Sequence, residues 1–332
     1  MTILICGLGS IGRRHLRNLQ ALGRDDIVLL RTGKSTLPED ELEGFPVERE
    51  LDQALVRWRP EAVIVSNPTA LHLEVAIPSA EAGCHLLIEK PVSHTMEGIE
   101  DLQKALNRGG GQVLVGFQFR FHPGLRAIKR LLGEGAIGRV ISAHAHWGEY
   151  LPDWHPWEDY HISYAARKDL GGGVVLTLCH PFDYLSWLLG EVETVSGVIA
   201  ELGGLDLEVE DTAELLMKYR KGNLASVHLD YNQRPASHCL EIIGTEGTIR
   251  WDGLNGETRC WSSEMGAWES IPTQEDFERN DMFLEEMRHF LEVIKGTAKP
   301  ISSLEDGVEA LRIALTVKRS AEEDGRWIQV SD

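Results

Sequence analysis

The chain has 332 residues, of which 42% are hydrophobic and 26% charged, and its net charge is −19. Two domains are expected at that length, each large enough to bury a core of its own. The negative charge argues against nucleic acid or an anionic membrane as partner, but leaves room for a small anion held by a local patch of donors.

Cys6, Cys84, Cys179, Cys239 and Cys260 are scattered, with no C-x-x-C spacing, and most have apolar neighbours. That pattern reads as buried thiols in a reducing compartment. "MTILICGLG" passes from Met1 into an apolar strand pattern with no basic leader, and no apolar run is long enough to cross a bilayer. The expected location is the cytoplasm.

In chain order, "TILICG" reads as a strand, "IGRRHLRNLQALG" as a helix closed by Gly23, and "DIVLLR" as a strand. "LDQALVRW" follows as a helix, "AVIVSN" as a strand, "ALHLEVAIPSAEAG" as a helix and "CHLLIEK" as a strand. "MEGIEDLQKALNRGG" and "QVLVGFQ" complete the series as helix and strand. Alternating strands and helices, with continuous Val/Ile/Leu runs in the strands, predict a parallel sheet covered on both faces. From about Val140 the pattern changes to period two, in "VISAHAHW", "TAELLMKYR", "LASVHLDYN", "CLEIIGT" and "TIRWDG", with "GTEGT" as a hairpin. Two amphipathic helices follow, "DMFLEEMRHFLEVIKG" and one opened by a Ser302–Glu305 capping box and stopped at Gly325. The expected architecture is α/β: a dinucleotide-binding domain over 1–119 and an α+β domain over 120–332 with a large, mainly antiparallel open sheet.

Gly7-Leu8-Gly9-Ser10-Ile11-Gly12 is G-x-G-x-x-G between the first strand and the first helix. Gly7 permits the tight turn, Gly9 lets a pyrophosphate approach the backbone, and Gly12 brings helix and strand together. The amides of Ser10, Ile11 and their neighbours at the helix N-terminus then face the anion. The second strand ends in Leu30-Arg31-Thr32-Gly33-Lys34-Ser35, with no carboxylate for a ribose hydroxyl. Arg31, Thr32, Lys34 and Ser35 suit a 2′-phosphate, which favours NADP(H) over NAD(H). "HLLIEKPVS" ends an apolar strand in Glu89-Lys90-Pro91, where an open α/β sheet binds its ligand. Lys90 is there either to act on a substrate oxygen or as half of a surface Lys–Glu pair.

Taken together, the glycine loop, "SNPTALHLEVA", "EKP" and "VGFQFRFHP" occur in an order that resembles the Gfo/Idh/MocA family, named for glucose–fructose oxidoreductase, inositol 2-dehydrogenase and a rhizopine catabolism protein. "GGGVVLTLCHPFDYLSWLLG" and "EIIGTEGTIRWDG" extend the resemblance over nearly the whole chain. It implies a nicotinamide-dependent oxidoreductase acting on sugars, sugar nucleotides or cyclitols, and a homodimer or homotetramer built through the second sheet. It also implies that Lys90 is catalytic and that Asn67, Pro68 and His72, with Glu89, lie near the cofactor.

The family pattern G-G-G-x-x-x-D-x-G-x-H-x-x-D is only partly kept. His180 and Asp183 preserve H-x-x-D, but Thr177 stands where the family has its upstream Asp, and His180 comes one residue early. One residue is about 100° of helix rotation, which the backbone at Pro181 could absorb. The resemblance makes His180 the general base, as against a core histidine bonded to a carbonyl. Asp183 would orient it or bond a nearby loop, and Tyr164 or water offers another exit for the proton. For the substrate, the aromatic and cationic stretch before the glycines suggests Trp154, His155, Tyr160, Arg167 and Lys168, joined by Arg120, His122 and Thr177. His144 and His146 lack a carboxylate or cysteine at ligand spacing, so no metal is expected. Two other functions remain open on this fold: a cofactor-recycling lyase or glycosidase, and a non-catalytic ligand sensor.

Overall fold

The computed structural model describes residues 1–31, 33, 37–38, 40–272 and 277–330. Thr32, Lys34 and Ser35, expected at the ribose, lie outside the described residues. The chain runs β1 (Ile3–Cys6), α1 (Ser10–Ala21), β2 (Ile27–Leu30), β3 (Val47–Glu48), α2 (Leu51–Trp58), β4 (Ala62–Val65), α3 (His72–Glu81), β5 (His85–Ile88), α4 (Ile99–Gly109) and β6 (Val113–Val115). It continues with α5 (Pro123–Gly133), β7 (Val140–Gly148), α6 (Val174–Thr177), α7 (His180–Leu189), β8 (Val192–Ala200), β9 (Thr212–Tyr219) and β10 (Leu224–Asp230). The last elements are β11 (Ser237–Gly244), β12 (Gly247–Asp252), β13 (Thr258–Ser262), β14 (Trp268–Ser270), α8 (Arg279–Ile294), α9 (Leu304–Glu322) and β15 (Ile328–Gln329).

Two compact units result. The first comprises Met1–Gln118, Asp169–Gly171 and Arg279–Val308, and the second comprises Phe119–Lys168, Gly172–Glu278 and Glu309–Asp332. In the first unit a parallel sheet has the order β3-β2-β1-β4-β5-β6, the doubly wound arrangement of dinucleotide-binding folds. β1 and β4 are buried at every residue, because helices cover both faces of a parallel sheet and leave no polar side to alternate. A single boundary at 119 misses α8. Met287, Phe290 and Leu291 of that helix pack with Ile3, Ile5, Leu16 and Ile64 in the first unit's core. The Arg14 guanidinium lies 4.4 Å over the Phe283 ring, and Asn280 donates to Asn18 at 3.0 Å. Periodicity marks the apolar face of a helix but not the core that receives it.

In the second unit nine strands run β14-β13-β12-β11-β7-β10-β9-β8-β15. β7 and β10 are parallel and the other pairs antiparallel. The expected hairpin is the β11–β12 turn. In β9, Ala213, Leu215, Met217 and Tyr219 are buried while Glu214, Leu216 and Lys218 are exposed, the alternation of a sheet with one open face. The capping box sits one residue later than expected. Ser303 N donates to Asp306 at 2.7 Å, and Asp306 N donates back to Ser303 Oγ at 3.3 Å. Ser302 is fully buried and donates to the Val115 carbonyl at 2.6 Å. Asp accepts the returning bond as Glu would, so the motif alone leaves the register open.

Candidate functional site

The glycine loop joins β1 to α1 at the point where the strand order reverses between β1 and β4. Gly7 has φ +96°, and a Cβ on it would lie 2.4 Å from Asn67 N. A Cβ on Gly12 would lie 1.9 Å from the Gly7 carbonyl oxygen. On Gly9 it would meet nothing within 4 Å, so the loop leaves an open cradle at that residue. Gly9 is also the N-cap of α1 and supplies no side-chain partner to the first-turn amides. These amides and the positive end of the helix dipole suit a pyrophosphate, so the residues present fit a dinucleotide.

The ends of β4 and β5 complete this half. Ser66 Oγ donates to the Gly7 carbonyl at 2.9 Å and latches β4 to the loop. Asn67 donates to the Leu71 carbonyl at 2.9 Å, which shapes the turn into α3. His72 is buried, with ring nitrogens 2.9 Å from the Pro91 carbonyl oxygen and 3.0 Å from that of Asn67. Burial lowers its pKa against the opposing pull of those carbonyls. Lys90 is half-buried, and its backbone amide donates to Glu89 Oε2 at 3.3 Å. Glu89 Oε1 lies 2.7 Å from His15 Nε2. Burial by itself would raise the Glu89 pKa, but the His15 bond and the positive charge around it bring it below the usual carboxylate value.

In the second unit the opening glycines serve packing. A Cβ on Gly172 would lie 2.4 Å from the Tyr164 carbonyl oxygen, and one on Gly173 2.5 Å from Glu210 Oε1. Glu210 is itself held by Lys318 at 3.1 Å. The stretch that follows is two helices, not one. α6 ends at Thr177, Leu178 turns at φ −95° and ψ 36°, and α7 begins at His180 with Pro181 in its first turn. Proline is tolerated in that first turn, so the break costs α7 no interior hydrogen bond. His180 is buried against Phe119, edge to face at 4.9 Å, and tilted on Trp147 at 5.4 Å. Thr177 is buried as well.

The family profile for an oxidoreductase family with an NAD-binding Rossmann fold matches residues 1–117, and the GFO/IDH/MocA C-terminal domain matches residues 125–250. The chain belongs to the GFO/IDH/MocA family. It is 28% identical to myo-inositol 2-dehydrogenase of Thermotoga maritima over 97% of each chain. It is 27% identical to 1,5-anhydro-D-fructose reductase of Ensifer adhaerens, over 87% of this chain and 82% of that protein. Among solved structures, levoglucosan dehydrogenase in complex with NADH and L-sorbose superposes with a TM-score of 0.89, at 20% identity and over 100% and 99% of the two chains. At that identity the likeness shows the fold.

Several residues expected at the site from the sequence make structural contacts in this chain. Glu89 and His72, expected at the cofactor, hold the loops at the strand ends together. Asp183, expected to orient His180 or bond a nearby loop, forms a buried pair with Arg120, expected at the substrate. Arg120 Nε lies 3.0 and 3.1 Å from the two carboxylate oxygens, and Nη2 lies 2.6 Å from Oδ1. His122, expected at the substrate, is a fully buried N-cap whose Nδ1 accepts from Gly124 N at 3.0 Å. Burial lowers its pKa to about 4. Trp154 stands edge-on to Tyr231 at 5.5 Å, and the Tyr160 hydroxyl donates to the Leu205 carbonyl at 3.1 Å. Tyr164 and Arg167 are partly exposed and Lys168 is exposed.

The family motifs gave no sign of three further residues. Arg13 Nε donates to the Leu8 carbonyl at 3.0 Å, and Nη1 to that of Pro38 at 2.5 Å, bracing the glycine loop. Its place directly after Gly12 was the available cue. Trp147 stacks on His238 at 4.4 Å with 6° between the planes. Glu286 is fully buried, and both its carboxyl oxygens lack a hydrogen-bond partner among the described residues. Burial first, and the charge of Glu89 second, hold its pKa well above the usual range. The available cue was spacing: Glu286 stands four residues after Met282, three after Phe283 and four before Phe290, on the apolar face of its helix.

Proposed function

We propose that this protein is a nicotinamide-dependent dehydrogenase acting on a secondary alcohol of a sugar or cyclitol, or on the corresponding ketone. The observation that carries this reading is the open cradle at Gly9, within a strand–loop–helix at the switch point of the sheet. The relatives named myo-inositol 2-dehydrogenase and 1,5-anhydro-D-fructose reductase support the substrate class. A bound dinucleotide supplies the acceptor or donor of the hydride. Gly7 to Gly12 and the first amides of α1 hold its pyrophosphate. Lys90 at the end of β5 donates to the substrate oxygen and stabilises charge that develops there. His180 takes the hydroxyl proton in oxidation and returns it in reduction. Tyr164, Arg167 and Lys168 are offered to the substrate; Trp154 and Tyr160 shape the same loop.

The cofactor is NADP(H) on this reading, because Arg31 and no carboxylate closes β2. The open sheet face, with Val198, Leu216 and Leu224 exposed on it, supports a homo-oligomer formed through that sheet. Five free cysteines support the cytoplasm. Among the described residues no helix is long and apolar enough to cross a membrane.

Fluorescence titration with NADPH and NADH, followed by a screen of inositols and anhydrosugars for change in nicotinamide absorbance, tests the assignment. Tighter binding of NADPH is expected; tighter NADH binding reverses the cofactor choice. Failure to bind either dinucleotide sinks the function. Product without net change in nicotinamide absorbance marks the cofactor-recycling chemistry instead.

A further inference from the structure

The open face of the nine-stranded sheet carries a side-chain cluster that the dehydrogenase reading does not use. β7 and β10 pair in parallel with His146 beside His228, and β9 places Glu214 on the other side of His228. The two imidazoles are nearly parallel, 4.5 Å apart with 17° between planes. Asp230 lies two residues beyond His228, on the same face of β10. One ligand atom from each of His146, His228 and Asp230 lies within 4.8 Å of the others. We propose that His146, His228 and Asp230 bind a divalent transition-metal ion of the zinc class on this sheet face.

Two imidazole nitrogens and one carboxylate oxygen are a donor set that zinc accepts, with a fourth position left for water. Tetrahedral zinc with bonds of about 2.0–2.2 Å holds its ligand atoms about 3.3 Å apart, so small side-chain rotations close the cluster around an ion. The surroundings are those of a built site. His228 Nδ1 lies 2.6 Å from Glu214 Oε1, which leaves Nε2 directed at Asp230 Oδ2, 2.8 Å away. A carboxylate on the far nitrogen of a histidine is the usual outer support of a metal ligand. Asp230 is fixed in turn, its Oδ1 accepting from Asn232 N at 2.6 Å.

Gly148 makes the space: a Cβ there would lie 2.3 Å from Asp230 Oδ2 and 2.4 Å from Gln233 Oε1. A cavity of about 560 Å³, bordered by His146, Glu214, His228 and Cys239, gives an ion access. The competing partner is Gln233, whose Oε1 lies 2.5 Å from His146 Nε2, and the ion replaces that contact. His144 and His146 gave no metal assignment in sequence because the carboxylate arrives from β10, more than 80 residues away, by strand pairing.

The test uses the full-length untagged chain, stripped with a chelator and titrated calorimetrically with Zn²⁺. One equivalent per chain is expected. His146→Ala and His228→Ala abolish that uptake, and Glu214→Gln weakens it by roughly 10- to 100-fold. No stoichiometric uptake by the wild-type chain, or uptake unchanged in both alanine variants, overturns the site. Circular dichroism checks the fold of each variant. Should either fail to fold, the wild-type protein decides by Co²⁺ uptake: visible bands of a tetrahedral nitrogen–oxygen site at one equivalent support it, and their absence overturns it. The readout is metal bound per chain, so it is independent of any dehydrogenase assay.

Discussion

The loop Gly7–Gly12 and the stretch Val174–Leu189 are both marked by glycines and by family pattern, yet they are built on different principles. In the first, the backbone is the functional surface, and its geometry depends on atoms that are absent: a Cβ on Gly12 meets backbone at 1.9 Å, while one on Gly9 meets nothing. In the second, position depends on side chains that find distant partners. Asp183 is held by Arg120, 63 residues away in sequence, and His180 rests on Phe119 and Trp147. A backbone site is legible locally and intolerant of any added atom. A side-chain site hides its partners but accepts matched replacement.

The largest effect is expected where the strand end meets the chemistry. Lys90→Ala lowers kcat by roughly 10²- to 10⁴-fold, the range for a positioned proton donor, while dinucleotide affinity holds. Steady-state kinetics paired with a binding titration read the two quantities; equal loss of both would make Lys90 a cofactor residue only.

Next comes the buried ion pair. Asp183→Leu removes the buried carboxylate that Arg120 faces and costs about 3–5 kcal/mol in urea denaturation. Arg120→Met added to it recovers most of that loss. If the double variant is no better than the single, the second region is not built on matched partners and the contrast with the loop collapses.

The glycines sharpen the same contrast from the other side. Gly12→Ala forces an overlap with the Gly7 carbonyl and destabilises the fold by about 1–3 kcal/mol or more. Gly9→Ala leaves stability within about 0.5 kcal/mol yet weakens dinucleotide binding, because its Cβ enters the cradle alone. Thermal melts with and without cofactor separate these outcomes.

The smallest effects are in pH dependence, and they have opposite sign in the two units. His122 has a folded pKa of about 4 against 6.5 unfolded. Between those values only the unfolded chain gains the proton, so stability falls as pH drops, by at most about 1.4 kcal/mol per unit. His122→Asn keeps an acceptor for Gly124 N and flattens that fall. Glu286 is raised well above 4.5, so the unfolded chain ionises first and stability is lost as pH rises through that value. Glu286→Gln removes this second slope. Denaturation midpoints across the pH range for both variants check the signs.

Much of the first unit was readable from the sequence because its signals are local. A glycine loop, the strand before it and the helix after it lie within about twenty residues, and a strand end announces a site by topology alone. The same holds for the hairpin at Thr245–Glu246. What the sequence does not name is the choice among partners. Arg120, His122, Asp183, His72 and Glu89 all stand in functional motifs, and each found a structural partner that no spacing rule names.

The sequence by itself determined the alternation of elements in the first unit, the glycine loop and the lysine at the end of β5, since periodicity and turn chemistry act between near neighbours; its ordered motifs carried the resemblance to the family. Only the tertiary structure decided that α8 closes the first core, that the helix breaks between Thr177 and His180, and that His146, His228 and Asp230 share one sheet face. The reason is physical: a side chain's chemistry is written in the sequence, but its partner is chosen by strand register and core packing, which bring together residues that the chain keeps far apart.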